Sequence, residues 1–203
     1  MTHNPTVFIV DDDQEVRDAI KLLMDSVGLA AETFESAQDF LERFDPRLTG
    51  CLVLDIRMKG MSGLDLQDRL AQEEVHPPII IITGHGDVPM AVRAVKAGAV
   101  DFIEKPFNDQ LLLDAVHRAI EQDAERRGRA SRLADIQARV QRLTPREREI
   151  MEMVVAGKRN KVIAIDLSIS QSTVEAHRAK VMEKMEAASL SDLMRMMLAL
   201  DPD

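Results

Sequence analysis

Tryptophan and tyrosine are absent from these 203 residues, and six phenylalanines supply all of the 3% aromatic content. A chain without Trp or Tyr offers few of the exposed stacking surfaces that readers of single-stranded RNA use, which argues against RNA binding. The one cysteine, Cys51, has no internal disulfide partner, and its apolar neighbours place it in a buried strand, so a cytoplasmic protein is expected. No apolar run approaches the roughly 18 residues a membrane span needs. The N-terminus enters a strand pattern directly, without the basic and apolar segments of a signal peptide, so no membrane partner is expected. Internal repeats and low-complexity tracts are missing too.

What is present fits globular protein of two domains: 45% apolar and 30% charged residues over 203 positions. The net charge of −9 is unevenly distributed. Residues 1–122 carry 11 Lys/Arg against 22 Asp/Glu, a balance of −11, whereas residues 123–203 carry 15 against 13, a balance of +2. Such a contrast is hard to reconcile with one uniform domain. A weakly basic second half permits DNA binding without requiring it.

Through residue 122, short apolar runs alternate with amphipathic helical spacing. Strands are expected at Val7–Val10, Ala31–Phe34, Cys51–Leu54, Ile79–Ile82 and Asp101–Ile103, with helices near 14–27, 37–44, 64–73, 88–97 and 108–121. Five βα repeats predict a doubly wound five-stranded parallel sheet with right-handed crossovers. Polar residues collect at the strand ends: Asp11-Asp12-Asp13, Asp55, Thr83 and Lys105-Pro106. Open parallel sheets place their ligand crevice there. Carboxylates, a hydroxyl and an ammonium converging on one crevice make a site for a divalent cation and a phosphoryl group. Asp13 is read instead as a helix N-terminal residue favoured by the dipole.

These positions, with Met61-Ser62-Gly63 and Ala97-Gly98-Ala99, resemble the receiver domain of two-component response regulators, a flavodoxin-like fold. The resemblance implies that Asp55 is the phosphoacceptor, attacking a phosphohistidine or a small acyl phosphate. It implies Mg²⁺ (or Mn²⁺) held by Asp11, Asp12, Asp55 and the backbone carbonyl of Arg57. Lys105 would pair with the phosphoryl oxygens, Thr83 would hydrogen-bond them after transfer, and Phe102 would turn in step with Thr83. One departure is Lys59, where relatives commonly have proline; it adds a cation beside the acidic pocket. His85 also lies near the site, as an exposed loop residue or an influence on phosphoryl lifetime.

From 123 to 142 the sequence predicts a helical linker, open to interruption at Gly128, where helix costs roughly 1 kcal/mol relative to Ala. Its apolar stripe could also serve a dimer-forming helix. Thr144-Pro145-Arg146-Glu147 then gives a strong helix start: an N-cap Thr, Pro at the first helical position, and Glu completing a capping box. That helix runs to Ala156, followed by Lys161–Leu167, a turn through Ser168-Ile169-Ser170, Gln171–Met185 and Leu190–Leu200. The result is an all-α, four-helix module (143–203) containing a helix-turn-helix.

In the third helix, Val174, His177, Val181 and Met185 share an inward face, and Ser172, Glu175, Ala176, Ala179 and Glu183 lie opposite. Small Ala176 and Ala179 let the helix seat in a major groove, and Glu175 can accept from cytosine N4. Arg178, Lys180, Lys161, Arg159 and Thr173 are read as phosphate anchors. The run Asn160-Lys161-Val162-Ile163-Ala164, with Thr173 through Arg178 and Val181 through Met185, resembles the LuxR/FixJ class of helix-turn-helix domains. The whole chain therefore resembles a FixJ-type response regulator. The expected function is phosphorylation of Asp55 by a sensor histidine kinase, dimerisation, and binding to promoter DNA, with transcriptional activation through RNA polymerase. Catalysis would be limited to the receiver's own phosphoryl transfer and dephosphorylation. A small phosphatase forming an aspartyl phosphate would need a second acid two residues after Asp55, where Arg57 stands.

Overall fold

The computed structural model describes residues 4–73, 75–84 and 88–200. The chain divides into two compact units, Met1–Arg127 and Gly128–Asp203.

In the first unit the order is β1 (Thr6–Val10), α1 (Gln14–Ser26), β2 (Ala30–Phe34), α2 (Ala37–Arg43), β3 (Gly50–Asp55), α3 (Gly63–Gln72), β4 (Ile79–Thr83), α4 (Val88–Lys96), β5 (Asp101–Glu104) and α5 (Asp109–Gln141). All strand pairs are parallel, in the spatial order β2-β1-β3-β4-β5. Strand side chains alternate between two cores. Phe8, Val10, Leu52, Leu54 and Ile81 pack with residues of α2, α3 and α4, whereas Val7, Ile9, Cys51, Val53, Ile80 and Ile82 pack with α1 and α5. Burial of both faces is why the central strands read as unbroken apolar runs. Each fully buried Leu, Ile, Val or Phe contributes about 1.5–3 kcal/mol of transfer free energy.

Four of the six phenylalanines, Phe8, Phe34, Phe40 and Phe44, share one corner. There Phe40 stacks on Phe44 at 4.6 Å and meets Phe34 edge-on at 5.1 Å. Helix starts follow the capping residues: Asp13, Ser36 and Ser62 each accept from a backbone N–H of their own first turn.

Two close approaches are not apparent from strand pattern. A Cβ on Gly63 would lie 2.2 Å from the Asp55 carbonyl oxygen, and one on Gly50 would lie 1.8 Å from that of Thr6. Gly50 also has φ +140°, where side chains strain the backbone. The Gly50 N–H donates to Asp123 Oδ2 at 3.0 Å. Asp123 is a buried acid that also receives Arg126 and Arg127. Arg127 further donates to the carbonyls of Pro46, Arg47 and Leu48.

The stretch expected as a linker is helical and unbroken at Gly128, since α5 extends over 33 residues. Helix propagation absorbs one glycine because each added residue gains a hydrogen bond after nucleation. Its ends are not idle spacer. Asp123 to Arg127 is tied into the first unit as described, and Ile136 and Val140 pack against the core of the second.

That second core joins α6 (Pro145–Val155), α7 (Asn160–Asp166), α8 (Gln171–Met185) and α9 (Leu190–Leu200). Ile150, Met151, Ile163, Val174, Val181, Met185 and Leu193 are its buried centre. The capping box forms as the sequence indicates, with Thr144 and Glu147 exchanging side-chain-to-backbone bonds of 2.8 and 3.3 Å. Glu147 also accepts from Lys184 at 2.6 Å, and that ion pair with the cap holds its carboxyl down at about 2. The turn between α7 and α8 passes through Ser168 at φ +52°.

Candidate functional site

The register carries the first site. Val10 pairs with Leu54 across β1 and β3, so the next residues, Asp11 and Asp55, emerge side by side where the strand order reverses. Thr83 pairs with Glu104, which brings Lys105 to the same end. Lys105 Nζ donates to Asp11 Oδ2 at 2.6 Å and to Asp55 Oδ1 at 2.9 Å. The remaining carboxylate oxygens are also engaged: Asp55 Oδ2 accepts from the Arg57 N–H at 2.6 Å and Asp11 Oδ1 from the Asp13 N–H at 2.9 Å. Both acids are buried, at 1% and 5% exposure, and the ammonium shared between them offsets the repulsion of two adjacent carboxylates.

Burial raises the pKa of Asp11 above the ordinary carboxylate value, a rise that Lys105 and the Asp13 N–H oppose and Asp55 reinforces. Burial also works against the Lys105 ammonium, yet its two carboxylate partners outweigh it and its pKa ends above the usual lysine value.

Thr83 is fully buried at the end of β4, and its carbonyl accepts from the Lys105 N–H at 2.8 Å. Phe102 is half-buried against the core formed with α2, α3 and α4. Asp12 is exposed and lines an open groove of about 720 Å³ with Arg57, Met58, Lys59, Ser62 and Arg93. Among the described residues no group of three or more His, Cys, Asp or Glu converges closely enough to hold a metal ion. Lys105 bridges the two buried acids, Asp11 and Asp55, while Asp12 faces solvent. His85 and Asp87 lie outside the described residues.

The second site is the outer face of α8. Ser172, Thr173, Glu175, Ala176, Ala179, Lys180 and Glu183 are exposed, and Val174, Val181 and Met185 are buried, as helical spacing requires. His177 is half-buried on the inward side. Lys161 and Arg159 are exposed at the start of α7. Ser170 caps α8, and its hydroxyl lies 2.8 Å from that of Ser172 and 2.7 Å from that of Thr173, which ties both hydroxyls to the cap.

Arg178 is not the freely exposed flank the sequence suggests. It is half-buried beside Met151, Val181 and Met182, and its Nη1 donates to Asn160 Oδ1. Position 178 adjoins the inward face, four residues after Val174, so the stem packs while the guanidinium turns to α7. Sequence pattern alone gives Asn160 no role. The available signal was an asparagine one position inside a helix start, where its side chain is not needed as a cap.

This architecture, a parallel sheet with a lysine-bridged acid pair at its open end in a chain that also holds a helix-turn-helix, defines a class: receiver-containing regulators that bind DNA. Residues 7–117 match the response regulator receiver domain, and residues 141–197 match the luxR family of bacterial regulatory proteins. The chain is 49% identical to nodulation protein W of Bradyrhizobium diazoefficiens over 94% of its own length and 84% of the relative's. It is likewise 49% identical to the transcriptional regulatory protein FixJ of Rhizobium meliloti, over 96% and 95%. Among solved structures, the response regulator StyR matches with a TM-score of 0.89 and 44% identity, over 96% of this chain and 98% of that one. The chain belongs to the FixJ/LuxR-type DNA-binding response regulators of two-component systems. Receivers of this family catalyse only their own phosphoryl transfer and dephosphorylation. Among the described residues no helix is long and apolar enough to cross a membrane.

Proposed function

We propose that Asp55 is the phosphoacceptor of a cytoplasmic switch in which a receiver (1–122) controls a DNA-binding domain (143–203) through the helix between them. The observation that carries this reading is the single ammonium bonded to both buried acids at the open end of the sheet. An oxygen of Asp55 attacks the phosphorus of a kinase phosphohistidine, the P–N bond breaks, and its electrons leave with the imidazole. Lys105 exchanges a carboxylate oxygen for a phosphoryl oxygen, so the cation is in place before the charge arrives. Thr83 donates its hydroxyl to the transferred group, and Phe102 follows it.

The donors at hand, carboxylates of Asp11, Asp12 and Asp55 and the Arg57 carbonyl, are all oxygen and suit Mg²⁺ or Mn²⁺. Such an ion would neutralise the phosphoryl oxygens when bound.

Phosphorylation shifts the population toward a dimer through the 87–107 face, of which Val88, Val92 and Val95 on α4 are exposed. Two output domains then engage a two-half-site promoter at raised effective concentration. Ser172, Glu175, Ala176 and Ala179 face the bases; Lys161, Thr173 and Lys180 hold phosphates, and Arg178 supports this face from behind. Transcriptional activation through RNA polymerase is the expected output, in keeping with relatives named as transcriptional regulatory proteins.

The test is mass by light scattering with Mg²⁺, with and without beryllium fluoride as phosphoryl mimic. A monomer-to-dimer shift that disappears in Asp55→Asn is expected. A mutant that still dimerises with a phosphodonor would sink the mechanism.

A further inference from the structure

Asparagine is among the best helix-capping residues, yet Asn160 does not cap α7. The N-cap is Arg159, which makes no side-chain cap bond, and Asn160 is the first helical residue. Its amide points instead to α8. The oxygen accepts from Arg178 Nη1, and the nitrogen donates to Glu175 Oε1 at 3.4 Å. Only one amide orientation serves both neighbours, because a guanidinium can only donate and a carboxylate can only accept. Glu175 and Arg178 are three residues apart on α8, so they project to one side of it. Arg178 is in turn packed at the edge of the core. The order is therefore a packed cation, a polarised amide, and an exposed carboxylate at the end.

We propose that Asn160 is a positioning residue for sequence readout: it holds the Glu175 carboxylate for the exocyclic amino group of one cytosine in each half-site. The inference rests on the DNA-binding reading above and deepens it. A carboxylate on a surface that approaches polyanionic DNA is repelled by phosphates in most rotamers and attracted only over a base-edge donor. A mobile Glu175 would swing away from wrong and right bases alike and discriminate little. A carboxylate held by the amide must either find its donor or be buried without one, which is the condition for discrimination. Lys161, next in the chain and exposed, is free to take a phosphate, so the start of α7 both anchors the domain and orients the reading residue.

The experiment uses the full-length protein with Mg²⁺ and beryllium fluoride. It is selected on duplexes with randomised half-sites, and affinities are then measured on the selected operator and its single-base variants. The unaltered protein should show one base pair per half-site at which substitution costs about tenfold in affinity, and Glu175→Ala should flatten that position. Asn160→Ala should reduce the same penalty to under about threefold while affinity for the selected operator changes by less than about threefold. Asn160→Asp should flatten it too, since the new carboxylate still receives Arg178 but repels Glu175. Should Asn160→Ala prove poorly folded, the Asp variant alone decides the question.

An unchanged preference in Asn160→Asp, or a uniform loss across all sequences in a folded Asn160→Ala, overturns the inference. Absence of any base preference in the unaltered protein would instead overturn the DNA-binding reading beneath it.

Discussion

In the first unit the residues that matter chemically are acids withdrawn from water at strand ends and held by one lysine. In the second they are exposed on one helix, and the groups that hold them are partly buried behind. The two arrangements follow from what each must meet. A phosphoryl group is small and brings its own charge, so the receiving pocket stores a cation beside buried carboxylates before transfer. DNA is large and presents a polyanionic wall, so the reading surface must be open, with the Glu175 carboxylate restrained rather than neutralised. The charge split of −11 against +2 across the chain follows the same division.

The largest effect is expected from Gly63→Ala. Its Cβ would fall 2.2 Å from the Asp55 carbonyl oxygen, a backbone atom that cannot yield cheaply. Destabilisation of about 3 kcal/mol in urea unfolding, with beryllium fluoride binding lost, should follow. A stable, binding-competent variant would show that the first site is less rigid than the comparison holds.

Next is Lys105→Met, which leaves Asp11 and Asp55 buried without their cation. Because the lysine is 21% exposed, the cost is discounted to about 2 kcal/mol at neutral pH. The sign of its pH dependence is specific. An acid whose folded pKa is raised favours the folded state most when protonated, and loses that contribution as pH rises from its ordinary value of 3.8 through the folded value. Without Lys105 the rise should be larger, so the variant's deficit should shrink on acidification. A deficit independent of pH would remove the electrostatic account.

Glu147→Gln probes the second unit with the opposite sign. This carboxyl is depressed to about 2 from 4.5, so its contribution is complete above pH 4.5 and is lost as pH falls toward 2. The variant should be about 1–2 kcal/mol less stable at neutral pH, with the gap closing across that window in thermal unfolding.

The smallest effect is expected for Lys161→Ala: DNA binding weakened about equally on all sequences, with the salt slope lowered by about one. A change confined to one base would move Lys161 from anchor to reader.

Much of the fold is legible in the sequence itself. The apolar runs of β1, β3 and β4 announce themselves because both sheet faces are buried, and strand-end acids stand out against those runs. The buried and exposed faces of α8 also follow directly from helical spacing. The surroundings of Asp12, Asp123, Arg178 and Asn160 are not legible in this way. Asp12 has the same local sequence signal as Asp11, but one points into the sheet end and the other into solvent. Asp123 sits in a polar stretch and is buried where it meets Gly50, 73 residues away, beside Arg126 and Arg127. Arg178 resembles any exposed basic residue until Asn160, 18 positions earlier, accepts from it.

By itself, then, the sequence determined the elements, their caps, the alternation of faces and the inventory of acids, hydroxyls and cations at the strand ends. These depend on periodicity and on interactions within a turn or two. Only the tertiary structure decided which of those groups meet: that Lys105 bridges Asp11 and Asp55 from 94 and 50 residues away, and that Asn160, outside α8, donates to Glu175 on it. Charge pairing in a low-dielectric site depends on distances of a few ångströms, and those are fixed by strand register and helix packing rather than by neighbours along the chain.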